Sequence, residues 1–112
     1  MRADRLRILD ALEQIGLIER FSSGGRAPFF LDALIQSGVL HRLALLGEAC
    51  RGVSSQLREG HPEVPWAQII AFRNVVLHEY FGVDLELVWQ IVVEHLPPLR
   101  SSLERIAESL EK

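Results

Sequence analysis

The chain has 112 residues, which excludes a two-domain protein because domains run to about 100 to 200 residues, and we expect residues 1–112 to form one domain. Its 48% apolar and 24% charged residues are typical of a globular protein and exclude a disordered one. Fifteen acidic and twelve basic side chains give a net charge of −3, which excludes nucleic-acid binding through an overall positive field and leaves only a local patch for that role.

Cysteine content and hydropathy indicate the compartment. Cys50 is the single cysteine, so no internal disulfide can form, as is typical of a reducing compartment. The first residues carry no apolar signal segment, and no stretch reaches the roughly 18 apolar residues of a membrane span. We therefore expect a cytoplasmic protein without a membrane partner.

The first half of the chain predicts two helices. Apolar residues at helical spacing run from position 3 to about 20, and the Ser and Gly residues at 22–25 end this pattern. Pro28 can open a second helix, whose apolar stripe has spacings of 4, 4, 3, 4, 3 and 4. The stripe consists of Ile35, Val39, Leu43, Leu46, Cys50, Val53 and Leu57. We interpret Cys50 as a small core residue. Three glycines would let another helix approach this one closely: Gly38, Gly47 and Gly52.

The second half predicts two further helices after a loop at residues 60–65. One face of the third helix carries Trp66, Ile69, Ile70, Arg73, Leu77 and Tyr80, and Phe81-Gly82 should end it. Asp84 is predicted to cap a fourth helix, whose apolar stripe runs from Val88 to Leu110 in one phase. Because two prolines remove amide donors and clash with preceding carbonyls, we expect either a long last helix kinked near Pro97-Pro98 or two helices that meet there.

Strand signals are missing from the sequence, since no alternating apolar pattern with hairpin turns occurs. The sequence therefore predicts an all-α fold. We expect an antiparallel bundle of four or five helices with the two long helices as its spine.

Common signatures of catalysis and metal binding are also missing. Gly24-Gly25-Arg26 lacks the spacing of a nucleotide-binding loop, and no serine occupies a nucleophile elbow. The four histidines have no ligand spacing to one another or to Cys50. We therefore expect no metal site and no cofactor.

The segment from Arg73 to Tyr80 concentrates the remaining polar chemistry. At about 100° per residue, Arg73 and Tyr80 lie within about 20° of each other on one helix face, whereas Arg73 and His78 diverge by about 140°. Asn74 and His78 share a neighbouring face. Two arrangements would bring Arg73 and His78 to one target: the helix loosens near its end, or a second copy of the chain contributes its own pair across a two-fold axis.

These residue types have an ordinary interpretation as an ion-pair partner, a surface amide, a partly buried imidazole and an amphipathic tyrosine. They also suffice for metal-free RNA cleavage, in which the 2′-hydroxyl of the substrate attacks the adjacent phosphate. That reaction needs a group that titrates near neutrality, as His does, and a fixed cation for the charged transition state, as Arg provides. It needs neither a protein nucleophile nor a metal.

At this segment the chain resembles the HepT toxins of the HEPN superfamily. The resemblance rests on the run from Glu63 to Asn74, on residues 78–84 and on Val88-Trp89. Leu46-Gly47-Glu48-Ala49 and Leu96-Pro97-Pro98-Leu99 are also similar to that family. The matching pattern is an Arg, four residues, a His, one residue and a Tyr, and the resemblance spans about residues 29–110.

The resemblance implies a toxin of a toxin-antitoxin system, a metal-independent endoribonuclease that cleaves cellular RNA as a homodimer with both copies lining the cleft. It implies that Arg73 and His78 are catalytic and that Asn74 is a supporting polar residue. It further implies that a cognate MntA-like nucleotidyltransferase antitoxin modifies Tyr80 with AMP. The alternative is a non-catalytic helical module that binds a nucleotidyltransferase or a nucleotide, and the acidic net charge leaves this alternative open.

Overall fold

Helices account for the regular structure of residues 2–111, the part of the chain that the computed structural model describes. They are α1 (Arg2–Phe21), α2 (Arg26–Leu31), α3 (Ala33–Arg51), α4 (Ser55–Gly60), α5 (Trp66–His78), α6 (Leu85–Gln90) and α7 (Leu96–Leu110). A 3₁₀ turn, Tyr80–Gly82, follows α5, and a π-helical turn, Ile91–His95, joins α6 to α7. No strand occurs in this range, so the predicted all-α class is confirmed.

The bundle is arranged around α3, which packs between α1 and α5, while α1 also packs against α7. Side-chain contacts show that these pairs run antiparallel. Asp4 near the start of α1 accepts hydrogen bonds from Ser54 beyond the end of α3, and Phe21 at the end of α1 contacts Gly38 near the start of α3. Glu19 likewise pairs with Arg100 of α7. The antiparallel helical bundle is therefore observed as predicted.

The core draws on most of these helices and contains most of the apolar stripes read from the sequence. On α5 the prediction was wrong at one position, since Leu77 is exposed and Val76 is buried instead. Its fully buried large side chains are Ile8, Ile15, Ile18, Phe29, Val39, Cys50, Val88, Leu103 and Ile106. Burial raises the pKa of the Cys50 thiol to about 12, because a thiolate is poorly solvated among apolar neighbours. Cys50 is thus a protonated core residue, as its place on the stripe predicted.

The predicted second helix is interrupted twice, which corrects the expectation of one helix from Pro28 to Leu57. Asp32 is extended, and its carboxylate accepts a hydrogen bond from the Leu34 amide at 2.8 Å, so that it caps α3. Ser54 is also extended, and its hydroxyl accepts a hydrogen bond from the Leu57 amide at 3.2 Å at the start of α4. The apolar stripe, which begins at Ile35, continues through the second break because periodicity reports which side faces the core and not where caps interrupt the backbone.

The last helix has its irregular turn just before the two prolines. Pro97 and Pro98 have no amide hydrogen to donate into the helix. The Leu96 amide instead bonds to the Ile91 carbonyl, five residues earlier, in the π-helical turn. The predicted irregularity near Pro97-Pro98 is therefore a π turn, and the predicted cap at Asp84 is confirmed by hydrogen bonds from Glu86 and Leu87 amides at 3.0 and 3.3 Å.

Within residues 2–111, none of the helices combines the length and the apolar character that a membrane crossing requires.

Candidate active site

The close contact between α3 and α5 is made possible by Gly47. A Cβ atom on Gly47 would lie 2.7 Å from the Cβ of Arg73 and 3.0 Å from the carbonyl oxygen of Ile69. Real Cβ atoms are not found this close to other heavy atoms, so any side chain here would push α5 away. Gly47 therefore sets the position of Arg73, and the close approach predicted for this glycine is confirmed.

Arg73 is held on α5 by an ion pair with Glu48 and a hydrogen bond to Asn74. Its Nε lies 2.6 Å from Oε2 of Glu48 on α3, and its Nη1 donates to Oδ1 of Asn74 at 3.0 Å. The Arg73 side chain is 26% exposed. The other carboxylate oxygen of Glu48 lies 3.6 Å from Nη1 of Arg51. A guanidinium has five N–H donors. In the described part of the chain, the partners of Arg73 occupy only a minority of them, so most remain available to a ligand.

His78 is the last residue of α5, and its side chain is exposed. Among residues 2–111, its imidazole has no hydrogen bond or ion pair, and no hydrogen bond joins it to Arg73. Both residues lie inside α5, so the loosening that would bring them to one target does not occur between them. Arg73 and His78 keep the divergent directions that helical geometry predicts.

Tyr80 lies in the 3₁₀ turn that follows α5, and its hydroxyl donates to Oγ of Ser37 on α3 at 3.0 Å. Tyr80 and Arg73 thus both face α3. Their partners, Ser37 and Glu48, are eleven residues apart, which corresponds to about 16 Å along a helix. Within one chain the tyrosine hydroxyl and the Arg73 guanidinium are therefore separated by about three turns of α3.

Exposed apolar side chains lie close in the chain to Tyr80 or to its partner Ser37. The ring of Phe81 stands edge to face against that of Tyr80 at 5.6 Å and is otherwise fully exposed. Leu34, one turn before Ser37, is 81% exposed, and Leu77, one turn before Phe81, is 54% exposed. We call Leu34, Leu77, Tyr80 and Phe81 the Tyr80 patch.

The sequence alone assigns no site role to two residues of this site, Glu48 and Ser37. Glu48 follows Gly47 within the family-like segment Leu46–Ala49, which is the one signal for it, whereas nothing in the sequence pairs Ser37 with Tyr80. Over residues 2–111 no group of three or more His, Cys, Asp or Glu side chains is arranged to hold a metal ion.

Comparison with known proteins gives consistent matches. A family model described as "Ribonuclease HepT-like" matches residues 11–106. A Thermococcus cleftensis protein named "Probable ribonuclease HepT" is 35% identical over 98 residues, which cover 87% of this chain and 89% of that protein.

A Methanocaldococcus jannaschii protein named as a "Gamma-glutamylcyclotransferase and putative RNase" is 32% identical over 114 residues, and the match covers all of this chain. The chain spans only 51% of that longer protein. No solved structure matches the chain. Because the family model covers most of its length and the Thermococcus relative matches almost from end to end, the chain belongs to the HepT-like family of the HEPN superfamily.

Proposed function

We propose that the protein is the toxin of a toxin-antitoxin system, a metal-independent endoribonuclease that cleaves cellular RNA with Arg73 and His78. The observation that carries the proposal is a guanidinium fixed by Glu48 and Asn74, with an exposed imidazole five residues later on the same helix. Membership of the HepT-like family supports RNA as the substrate.

The reaction assigned to this pair needs only the RNA itself. The 2′-oxygen attacks the adjacent phosphorus, the bond from phosphorus to the 5′-oxygen breaks, and the products carry a 2′,3′-cyclic phosphate and a 5′-hydroxyl. One proton leaves the 2′-hydroxyl and one is delivered to the 5′-oxygen, and imidazoles near neutrality suit both transfers. Arg73 stabilises the additional negative charge on the phosphoryl oxygens.

A homodimer completes the site in this proposal. Within one chain Arg73 and His78 point in different directions, so a single cleft requires a second copy. The Tyr80 patch supports this assembly, because exposed apolar side chains next to the site favour burial against a partner. The relevant charge for RNA is then that of the cleft, where each copy contributes Arg73 and His78, and not the net −3 of the whole chain.

Purified protein is expected to cleave RNA equally well with and without EDTA, because neither role requires a metal. The measurement is gel analysis of a labelled RNA, with end-group analysis for cyclic phosphate and 5′-hydroxyl. Loss of cleavage in EDTA would contradict the metal-independent mechanism. Absence of cleavage by folded dimeric protein, over a range of cellular RNAs, would favour the non-catalytic module.

Regulation by a nucleotidyltransferase antitoxin is also part of the proposal. The hydroxyl of Tyr80 is accessible, since the residue is 40% exposed and its single partner in the described structure is the Ser37 hydroxyl. In the transfer, the tyrosine oxygen attacks the α-phosphorus of ATP, pyrophosphate leaves and the phenolic proton is released. The attached AMP would add bulk and negative charge at the mouth of the cleft and oppose RNA binding.

Tyr80→Phe is expected to abolish AMP addition by the partner enzyme, because it removes the single tyrosine hydroxyl of the chain. Intact mass spectrometry after incubation with the partner and ATP checks this result. Ser37→Ala is the matched control, because it removes the neighbouring hydroxyl and should leave the mass gain in place. A gain retained in Tyr80→Phe and lost in Ser37→Ala would move the modification to the serine.

A further inference from the structure

We propose that Glu48 is a positioning residue of the active site, which holds the Arg73 guanidinium in the orientation that meets the scissile phosphate. This inference rests on the proposed ribonuclease function and adds to it a residue on a different helix. Glu48 would act through Arg73 and would not itself contact the reacting atoms.

The contact between Glu48 and Arg73 is a close ion pair. Oε2 of Glu48 lies 2.6 Å from Nε of Arg73. Asn74 accepts from Nη1 of the same guanidinium at 3.0 Å. The ion pair at Nε and the hydrogen bond at Nη1 hold the planar guanidinium at two points, which limits how far the group can move away from the site.

The packing of the backbone around Glu48 fixes the position of its carboxylate relative to Arg73. Gly47 brings the α3 backbone against α5 at Arg73, where a Cβ would be only 2.7 Å from the Cβ of Arg73. Glu48 is the next residue of the same helix, so its carboxylate is set beside Arg73 by the packing of two rigid helices. A side chain placed on rigid elements and locked by partners is what precise stabilisation of a transition state requires.

A carboxylate beside a phosphate site would repel the substrate, and Arg51 offsets this negative charge. One turn along α3, its Nη1 lies 3.6 Å from the second oxygen of Glu48. Glu48 therefore stands between two guanidiniums, and the group of three side chains keeps a net positive charge. Glu48 can orient Arg73 without cancelling the attraction of the site for a phosphodiester.

Glu48→Ala is expected to lower kcat for RNA cleavage by about 10- to 100-fold, because a small misplacement of a catalytic group is costly. KM should stay the same or fall, since a negative charge next to the substrate is lost. Glu48→Gln keeps the length of the side chain and an oxygen beside Nε of Arg73, and it is expected to restore part of the lost kcat. Glu104→Ala is the matched control, because it removes an exposed carboxylate on α7 that pairs with Arg100 and has no contact with Arg73 or Glu48 in the described part of the chain, and it should keep the wild-type kcat.

A double-mutant cycle separates positioning from other effects. In an Arg73→Ala background, Glu48→Ala should have no further effect on kcat, because there is no guanidinium left to orient. Wild-type kcat in Glu48→Ala, or an undiminished effect of Glu48→Ala in the Arg73→Ala background, would overturn the proposal. If Arg73→Ala itself cleaves like wild type, the proposed ribonuclease mechanism fails instead. Thermal melting of each variant establishes that it is folded at the temperature at which kcat is measured.

Discussion

Arg73→Ala and His78→Ala are each expected to reduce the rate of RNA cleavage at least about 100-fold while leaving the fold intact. General acid-base groups contribute about 10² to 10⁴ in rate, and single donors that stabilise transition-state charge contribute about 10² to 10³. His78 is exposed, so its removal leaves no cavity. Arg73 loses an ion pair with a half-exposed carboxylate, a contact for which solvent screening limits the contribution to about 1 kcal/mol or less.

Matched controls exist for both substitutions elsewhere in the chain. Arg105→Ala and His95→Ala remove the same residue types from exposed positions on and before α7, outside the site. Both should cleave at the wild-type rate, measured as initial rates on one labelled RNA at equal protein concentration. Wild-type cleavage by His78→Ala, with contaminating nuclease excluded by the Arg73→Ala preparation, would contradict the assigned chemistry.

Mixing the two inactive variants tests whether the cleft is shared between copies. After subunits exchange, a mixed dimer contains one intact Arg73 and one intact His78, contributed by different chains. Cleavage should then return to a measurable fraction of the wild-type rate. If the mixture stays as inactive as its components although exchange is demonstrated, the composite cleft is wrong.

Helical periodicity predicted most of this fold because burial of one face repeats along the sequence. The stripe from Ile35 to Leu57 faces the core as expected, even though the backbone breaks at Ser54 within it and at Asp32 before it. Both breaks are marked by a polar side chain that caps the following helix, and periodicity does not register such caps. The same limitation explains the last helix, where the sequence located the prolines but not the π turn that accommodates them.

The candidate site was predicted from the sequence along α5 but not across to α3. Angular arithmetic gave the divergence of Arg73 and His78, and it gave the face that Arg73 shares with Tyr80. It could not give Glu48 and Ser37, because their partnerships depend on the register between two antiparallel helices. That register follows from the contact of Gly47 with Ile69 and Arg73, which is a property of packing.

Gly47→Ala is expected to lower the free energy of unfolding by about 1 to 3 kcal/mol, the usual cost of forcing extra volume into a close contact. The added methyl group would meet the Ile69 carbonyl oxygen at 3.0 Å as well as the Cβ of Arg73. Neither atom can rotate away, so α5 must shift as a whole. The shift would also move Arg73 away from Glu48, and cleavage should therefore fall together with stability.

Gly16→Ala provides the opposite expectation within the same protein. Gly16 lies inside α1, and no heavy atom would come within 4 Å of its added Cβ. Alanine should therefore raise the unfolding free energy by about 0.5 to 1 kcal/mol through helix propensity alone, with unchanged cleavage. Urea denaturation followed by circular dichroism, at one protein concentration because dimerisation contributes to stability, measures both variants. Equal stabilisation by Gly47→Ala and Gly16→Ala would mean that α3 and α5 can separate freely. The contact at Gly47 would then not determine the register between these helices or the position of Arg73.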